Sequence, residues 1–223
     1  MTLEEAIAKI KPLDHNAMEI AQKRWDGIAK PLHSLGKLET LLIQIAGITG
    51  NAEVDLSRRG LIAMCADNGV VEEGVTQTGQ EVTAIVAENF LKYDTSVGVM
   101  CKQNHAEIFP VDMGMVTDTK VRTDHKIAYG TQNMTKGPAM TREQAVKGLE
   151  AGIDMVRELN DKGYRILATG EMGIGNTTTS SAVASVLLKQ PVEEMTGRGA
   201  GLTSEGLVRK INAIKKAIAL NEP

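Results

Sequence analysis

Between Tyr164 and Thr179 the chain passes from a short apolar run, YRILA, directly into TGEMGIGNTTT, which packs three glycines, a carboxylate and four hydroxyls into eleven residues. The apolar run predicts a buried strand over 164–168. The small, hydroxyl-rich residues from Thr177 through Val186 predict a helix that opens immediately afterwards. A strand feeding a helix through so tight a turn commits this part of the chain to an α/β arrangement.

Such a turn suits an anion. Gly170, Gly173 and Gly175 let backbone approach a ligand closely, and the unpaired N–H groups and dipole of the first helical turn favour negative charge. The competing reading is a tight connection whose glycines only satisfy positive φ angles. Asn176 and the hydroxyls weigh toward a phosphorylated ligand. No Lys follows the last glycine, so this is not a Walker A loop, and the GxxGxG spacing is not the GxGxxG dinucleotide fingerprint.

The rest of the chain fits one main domain. With 223 residues, 42% hydrophobic and only 3% aromatic, it can bury one sizeable aliphatic core. A net charge of −3 gives no broad basic field, so nucleic acid is not an expected partner. Cys65 and Cys101 lie in apolar surroundings without CxxC spacing, as reduced buried thiols in a cytoplasmic protein do. No apolar run reaches the roughly 18 residues of a membrane span, and Thr2/Glu5 reads as a helix capping box, not as a signal peptide. His15, His33, His105 and His125 have no metal-site spacing.

From Thr2 to about Gly50 the pattern is helical. Leu3, Ile7 and Ile10 share a face, Pro12 breaks it, and Leu38, Leu41, Leu42 and Ile45 resume it. Residues 1–58 are therefore read as a small helical domain and 59–223 as the main one. From Gly60 onward apolar runs at 61–66 and 106–114 alternate with helical patterns at 80–92 and 94–104, which predicts βαβ units in a parallel sheet. A Thr141/Gln144 capping box opens a helix with Ala145, Leu149, Ile153, Val156 and Leu159 inward. Asp67 and Asp112 fall at strand carboxyl ends, where such sheets bind ligands, although turn chemistry explains them equally. A last helix over 204–220, with Leu207, Ile211, Ile214 and Ile218 inward, follows GRGAGL at 197–202. It offers Lys210 either as a solvated cation or as a phosphate partner.

Taken in order, KPLHSLGKLE (30–39), CADNGVVEEGVT (65–76), GTQNMTKGPAM (130–140), GEMGIGNTTT (170–179) and GRGAGL resemble the nicotinate-nucleotide:dimethylbenzimidazole phosphoribosyltransferases over essentially all 223 residues. The resemblance implies a Rossmann-like sheet domain with a small helical domain, a homodimer, and a pentosyl transfer that needs no cofactor. Nicotinate mononucleotide and dimethylbenzimidazole are the implied substrates. It further implies that Glu171, Gly173, Gly175, Asn176 and Thr177 form the nucleotide end of the site, with Gly199 and Lys210 near the phosphate. Thr78 matches a hydroxyl of the azole pocket. Val86 falls where some members carry Gln, a position that bears on base preference.

The chemistry requires a base, because the azole N–H proton must leave as the other ring nitrogen attacks C1′. Family members continue through further strands and an LGEGxG-type segment whose glutamate is the proposed base, whereas this sequence reads LNEP at 220–223. No residue here inherits that role by motif, and Glu171 is the candidate to replace it. Two expectations result: an active transferase, or a nucleotide-binding fragment with impaired catalysis, an unpaired sheet edge and an uncovered apolar face.

Overall fold

Thr2 starts the first helix, α1 (Leu3–Ala8), through a reciprocal capping box: its hydroxyl accepts from the Glu5 N–H while the Glu5 carboxylate accepts from the Thr2 N–H. The computed structural model describes all 223 residues, in two compact units, Met1–Arg58 and Arg59–Pro223. In the first unit α2 (His15–Asp26) is capped by Asp14, which accepts from Ala17 N–H at 3.0 Å. It packs on α3 (Lys37–Thr49) through Ala17, Ala21, Ala46 and Gly47. A Cβ at Gly47 would lie 2.7 Å from the Met18 sulfur, so any larger residue there would have to displace the Met18 side chain from between the helices. Glu39 is buried, ion-paired to Lys30 at 2.8 Å and bonded to the Leu35 N–H, and Lys30 holds its carboxyl below the ordinary range. The face expected from Leu3, Ile7 and Ile10 does not form. Ile10 lies beyond the end of the six-residue α1, and Ile7 and Ile10 are exposed.

The second unit is built on a parallel sheet. Strands β1 (Arg59–Ala66), β2 (Ala106–Gly114) and β3 (Ile166–Met172) lie in the order β2–β1–β3. Helices α4 (Glu81–Lys92) and α5 (Ser96–Gln103) join β1 to β2, and α6 (Arg142–Asp161) precedes β3. Ala63 and Cys65 of β1 pack with Ala84, Ala87 and Phe90 of α4. The alternate residue Ile62 packs with Met155 and Leu159 of α6. The two crossovers thus cover opposite faces, as right-handed connections that travel in opposite directions along a sheet must.

Beyond β3 come α7 (Asn176–Leu188), α8 (Val192–Met195) and α9 (Ser204–Asn221). With Val70 and Val75 from the turn after β1, Ala182 of α7 and Ala213, Ile214 and Ala217 of α9 form a third cluster. No helix is long and apolar enough to cross a membrane.

Two sequence readings of the second unit also need correction. Strand β3 does not end at Ala168; pairing with β1 carries it on to Met172, opposite Cys65. It is not buried either, since it pairs on one side only and Ala168 to Glu171 are exposed. The α6 face is also rotated: Ala151, Met155 and Leu159 are buried, whereas Leu149 and Val156 line an open groove with Ile62, Met64, Thr169 and Gly170.

Candidate active site

The chain leaves β1 toward β2, and β3 lies on the other side of β1, so the turns after β1 and β3 face each other where the strand order reverses. Parallel sheets bind ligands in that crevice. The turns touch closely: a Cβ at Gly173 would stand 2.2 Å from the Ala66 carbonyl oxygen, a clash with backbone that only glycine avoids. Gly175 then adopts φ +90° and opens α7 with no side chain capping its first turn. The amide end of α7 therefore faces the crevice with its positive dipole unscreened by a capping carboxylate or hydroxyl.

Lys210 is the decisive addition. It is 1% exposed, and its Nζ donates to Thr177 Oγ1 at 2.7 Å and to the Gly197 carbonyl at 3.1 Å. No carboxylate pairs with it, and burial lowers its pKa. The solvated reading of this lysine is thereby overturned. Lys210 shares the inward face of α9 with Gly206, Ala213 and Ala217, whose small side chains leave room for its stem. Gly199, at φ +57°, completes the wall: a Cβ there would approach Thr177 Oγ1 to 2.8 Å and Lys210 Nζ to 3.5 Å. The structure thus brings Gly173, Gly175, Asn176, Thr177, Gly199 and Lys210 into one neighbourhood, although the lysine follows the glycine turn by a full helix and a second loop.

Glu171 sits on β3 opposite Met64, one residue before the strand ends. Although the residue is exposed overall, partial desolvation of its carboxyl by neighbouring protein raises its pKa above the ordinary range, and a hydrogen bond from Asn176 works in the opposite direction. A carboxylate raised in this way is a stronger proton acceptor than a free one. Thr78 is exposed on the loop between Gly74 and Gln80, its carbonyl accepting from Thr76 Oγ1 at 2.8 Å. That loop is tied to the glycine turn beside Lys210. Gln77 Nε2 donates to the Gly201 carbonyl, and Arg209 Nε donates to the Gly74 carbonyl at 3.3 Å. Val86, half-buried on α4, packs against the cluster of Cys65, Ala84 and Met115.

The two aspartates both hold the backbone of the turn after β2. Asp67 Oδ2 accepts from Val116 N–H at 2.8 Å. Asp112 Oδ1 accepts from the N–H groups of Gly114 and Met115 at 2.9 and 2.7 Å, and its other oxygen lies 3.1 Å from Lys126 Nζ. Both are buried, and Asp67 reaches across from the turn after β1 with its Oδ1 left without a hydrogen-bond partner. Sequence reasoning missed Asn68 and Thr83, which grip the glycine turn. Thr83 gives only a faint signal, a hydroxyl in the opening turn of a helix, and Asn68 reads as an ordinary turn residue.

A phosphoribosyltransferase family model matches residues 10–223. The chain is 51% identical over 225 residues to the nicotinate-nucleotide–dimethylbenzimidazole phosphoribosyltransferase of Ruminiclostridium cellulolyticum, covering 100% of this chain and 64% of the relative. It is 46% identical to the protein of the same name from Clostridium tetani, covering 99% and 62%. Among solved structures, CobT from Thermus thermophilus superposes with a TM-score of 0.83 at 36% identity, covering 92% of this chain and 62% of that one. The chain therefore spans somewhat less than two thirds of the length of the relatives it matches.

Proposed function

Because the chain belongs to the phosphoribosyltransferase family, we propose that it transfers the phosphoribosyl group of nicotinate mononucleotide to dimethylbenzimidazole, giving α-ribazole phosphate and nicotinate. The names of its relatives supply the substrates. One observation carries the reading: a buried lysine without a carboxylate partner, bonded to Thr177 Oγ1 at the uncapped start of α7. An unpaired buried cation is costly in an empty site and favourable once a phosphate arrives. Gly173, Gly175, Asn176, Thr177 and Gly199 complete the phosphate cradle in this account.

The reaction follows from that anchoring. With the phosphate held by Lys210 and the α7 amides, C1′ of the ribose is fixed in position. One azole nitrogen attacks it from the face opposite nicotinate, and the C1′–N bond to nicotinate breaks. Its electron pair stays on the departing ring, which becomes a neutral pyridine and needs no proton. The azole N–H proton passes to a carboxylate, and Glu171 is our assignment for it. Thr78 and Val86 are assigned to the azole end, on the strength of the resemblance and of the loop that ties Thr78 to the cradle.

We place the protein in the cytoplasm, where the buried thiols Cys65 and Cys101 stay reduced, and assign it a homodimer. The exposed Leu32, Leu35, Leu38 and Leu41 of the helical unit support a second copy as the covering partner. Light scattering coupled to gel filtration tests that assignment.

The test of function is incubation of the purified chain with nicotinate mononucleotide and dimethylbenzimidazole, quantifying both products. Equal amounts of nicotinate and α-ribazole phosphate support the transferase. Nicotinate without α-ribazole phosphate identifies a hydrolase. Tight nucleotide binding with no turnover identifies a nucleotide-binding module.

A further inference from the structure

Ile174 stands between two glycines at the centre of the cradle, and both of its backbone polar groups are held by side chains from outside the turn. Its N–H donates to Thr83 Oγ1 at 3.0 Å, and its carbonyl accepts from Asn68 Nδ2 at 3.1 Å. Thr83 is fully buried in the first turn of α4, and Asn68 belongs to the turn after β1. The Asn68 carbonyl in turn accepts from Gln80 Nε2 at 3.0 Å, so α4, the β1 turn and the glycine turn form one hydrogen-bonded circuit.

The circuit matters because of what flanks Ile174. Peptide planes next to glycine rotate with little steric resistance. A rotation here would turn a carbonyl oxygen toward the crevice in place of an N–H and repel a phosphate. Two hydrogen bonds, one to each end of the same residue, select a single orientation. We infer that Thr83 and Asn68 are positioning residues for phosphate recognition: they touch no substrate, and they fix the Ile174 peptides so that the uncapped start of α7 faces the anion. This inference rests on the phosphate reading of the cradle given above.

The experiment combines Thr83→Val, Thr83→Ser and Asn68→Ala in the full chain with two measurements. Amide hydrogen exchange at Ile174 reports the clamp itself, and calorimetric titration with nicotinate mononucleotide reports its consequence. Thr83→Val, close to isosteric, should release Ile174 N–H to fast exchange while the amides of Ala63 and Cys65 stay protected. It should also weaken nucleotide binding about tenfold, the size expected for losing one partner of a buried N–H. Thr83→Ser should restore both. Asn68→Ala, which leaves the α4 packing alone, should weaken binding in the same direction and serves if Thr83→Val does not fold.

Unchanged exchange at Ile174 in Thr83→Val overturns the clamp. Lost protection with unchanged affinity overturns the positioning role and leaves Thr83 a structural residue only. Failure of the phosphate reading looks different: the wild-type chain then binds no nicotinate mononucleotide although Ile174 is protected through Thr83, and the positioning role falls with it.

Discussion

Lys210 Nζ lies 2.7 Å from Thr177 Oγ1, and no carboxylate answers its charge. Thr177 stands in the first turn of α7, so the lysine carries the cation of α9 to the amide end of another helix. Burying a cation against hydroxyl and carbonyl groups alone costs stability that a hydrophobic residue would not. The arrangement is explicable as a site kept ready for an anion.

Lys210→Met should therefore fold as well as the wild type or better, with a melting temperature unchanged or raised by about 2–4 °C in the absence of ligand. Differential scanning calorimetry checks this. A large loss of stability would mean that the lysine is a structural hydrogen-bond donor.

The same lysine sets a pH dependence. Its folded-state pKa lies below the ordinary 10.5, so between the two values the unfolded chain binds more protons, and stability rises as pH rises through that window. Phosphate binding needs the charged form and draws the pKa back up. Nucleotide affinity should fall as pH rises through the lowered value, with proton uptake on binding there. Titrations in buffers of different ionisation enthalpy measure that uptake, and its absence would exclude Lys210 as the titrating group.

Most of the scaffold is legible in the sequence, and the reasons are local. Capping boxes at Thr2 and Thr141 place two helix starts, and the apolar runs at 61–66 and 106–114 become the paired strands β1 and β2. The misses are tertiary. Nothing local says that β3 pairs on one side only, or that Met155 would face the sheet where Val156 was expected. Lys210 is legible as a candidate by its distance from GRGAGL, but its burial depends on Gly206, Ala213 and Ala217 being small. Thr83 and Asn68 became visible only when α4 and the β1 turn met Ile174.

Glu171 sets a second pH dependence. Partial desolvation raises its carboxyl and Asn176 opposes the rise. A base must be deprotonated, so turnover should fall as pH falls through that raised value. Glu171→Gln should reduce kcat by about 10²–10⁴-fold. Asn176→Ala should move the acid limb to higher pH. A pH–rate profile with the same acid limb in wild type and Asn176→Ala would show that another group titrates.

Gly173→Ala tests the contact between the two turns. Its Cβ would meet the Ala66 carbonyl at 2.2 Å, and backbone must move to relieve it. Urea unfolding should show a loss of about 1–3 kcal/mol, the usual cost of overpacking. A neutral result would mean that the turns are less closely seated than described.

Asp112→Ala should be more damaging. It removes the acceptor of two buried N–H groups and the buried partner of Lys126, which is left with only the exposed Asp118 as an ion-pair partner. A loss of about 3–5 kcal/mol is expected from chemical denaturation, although Asp112 touches no substrate in this account.

The most direct test of the phosphate cradle is a calorimetric comparison of nicotinate mononucleotide with the nicotinate riboside that lacks its phosphate, in wild type and Lys210→Met. The wild-type chain should prefer the nucleotide, and Lys210→Met should lose about 10- to 100-fold of nucleotide affinity with little change for the riboside. Equal binding of the two ligands by the wild type, or a phosphate preference that survives Lys210→Met, would contradict a cradle built on that lysine.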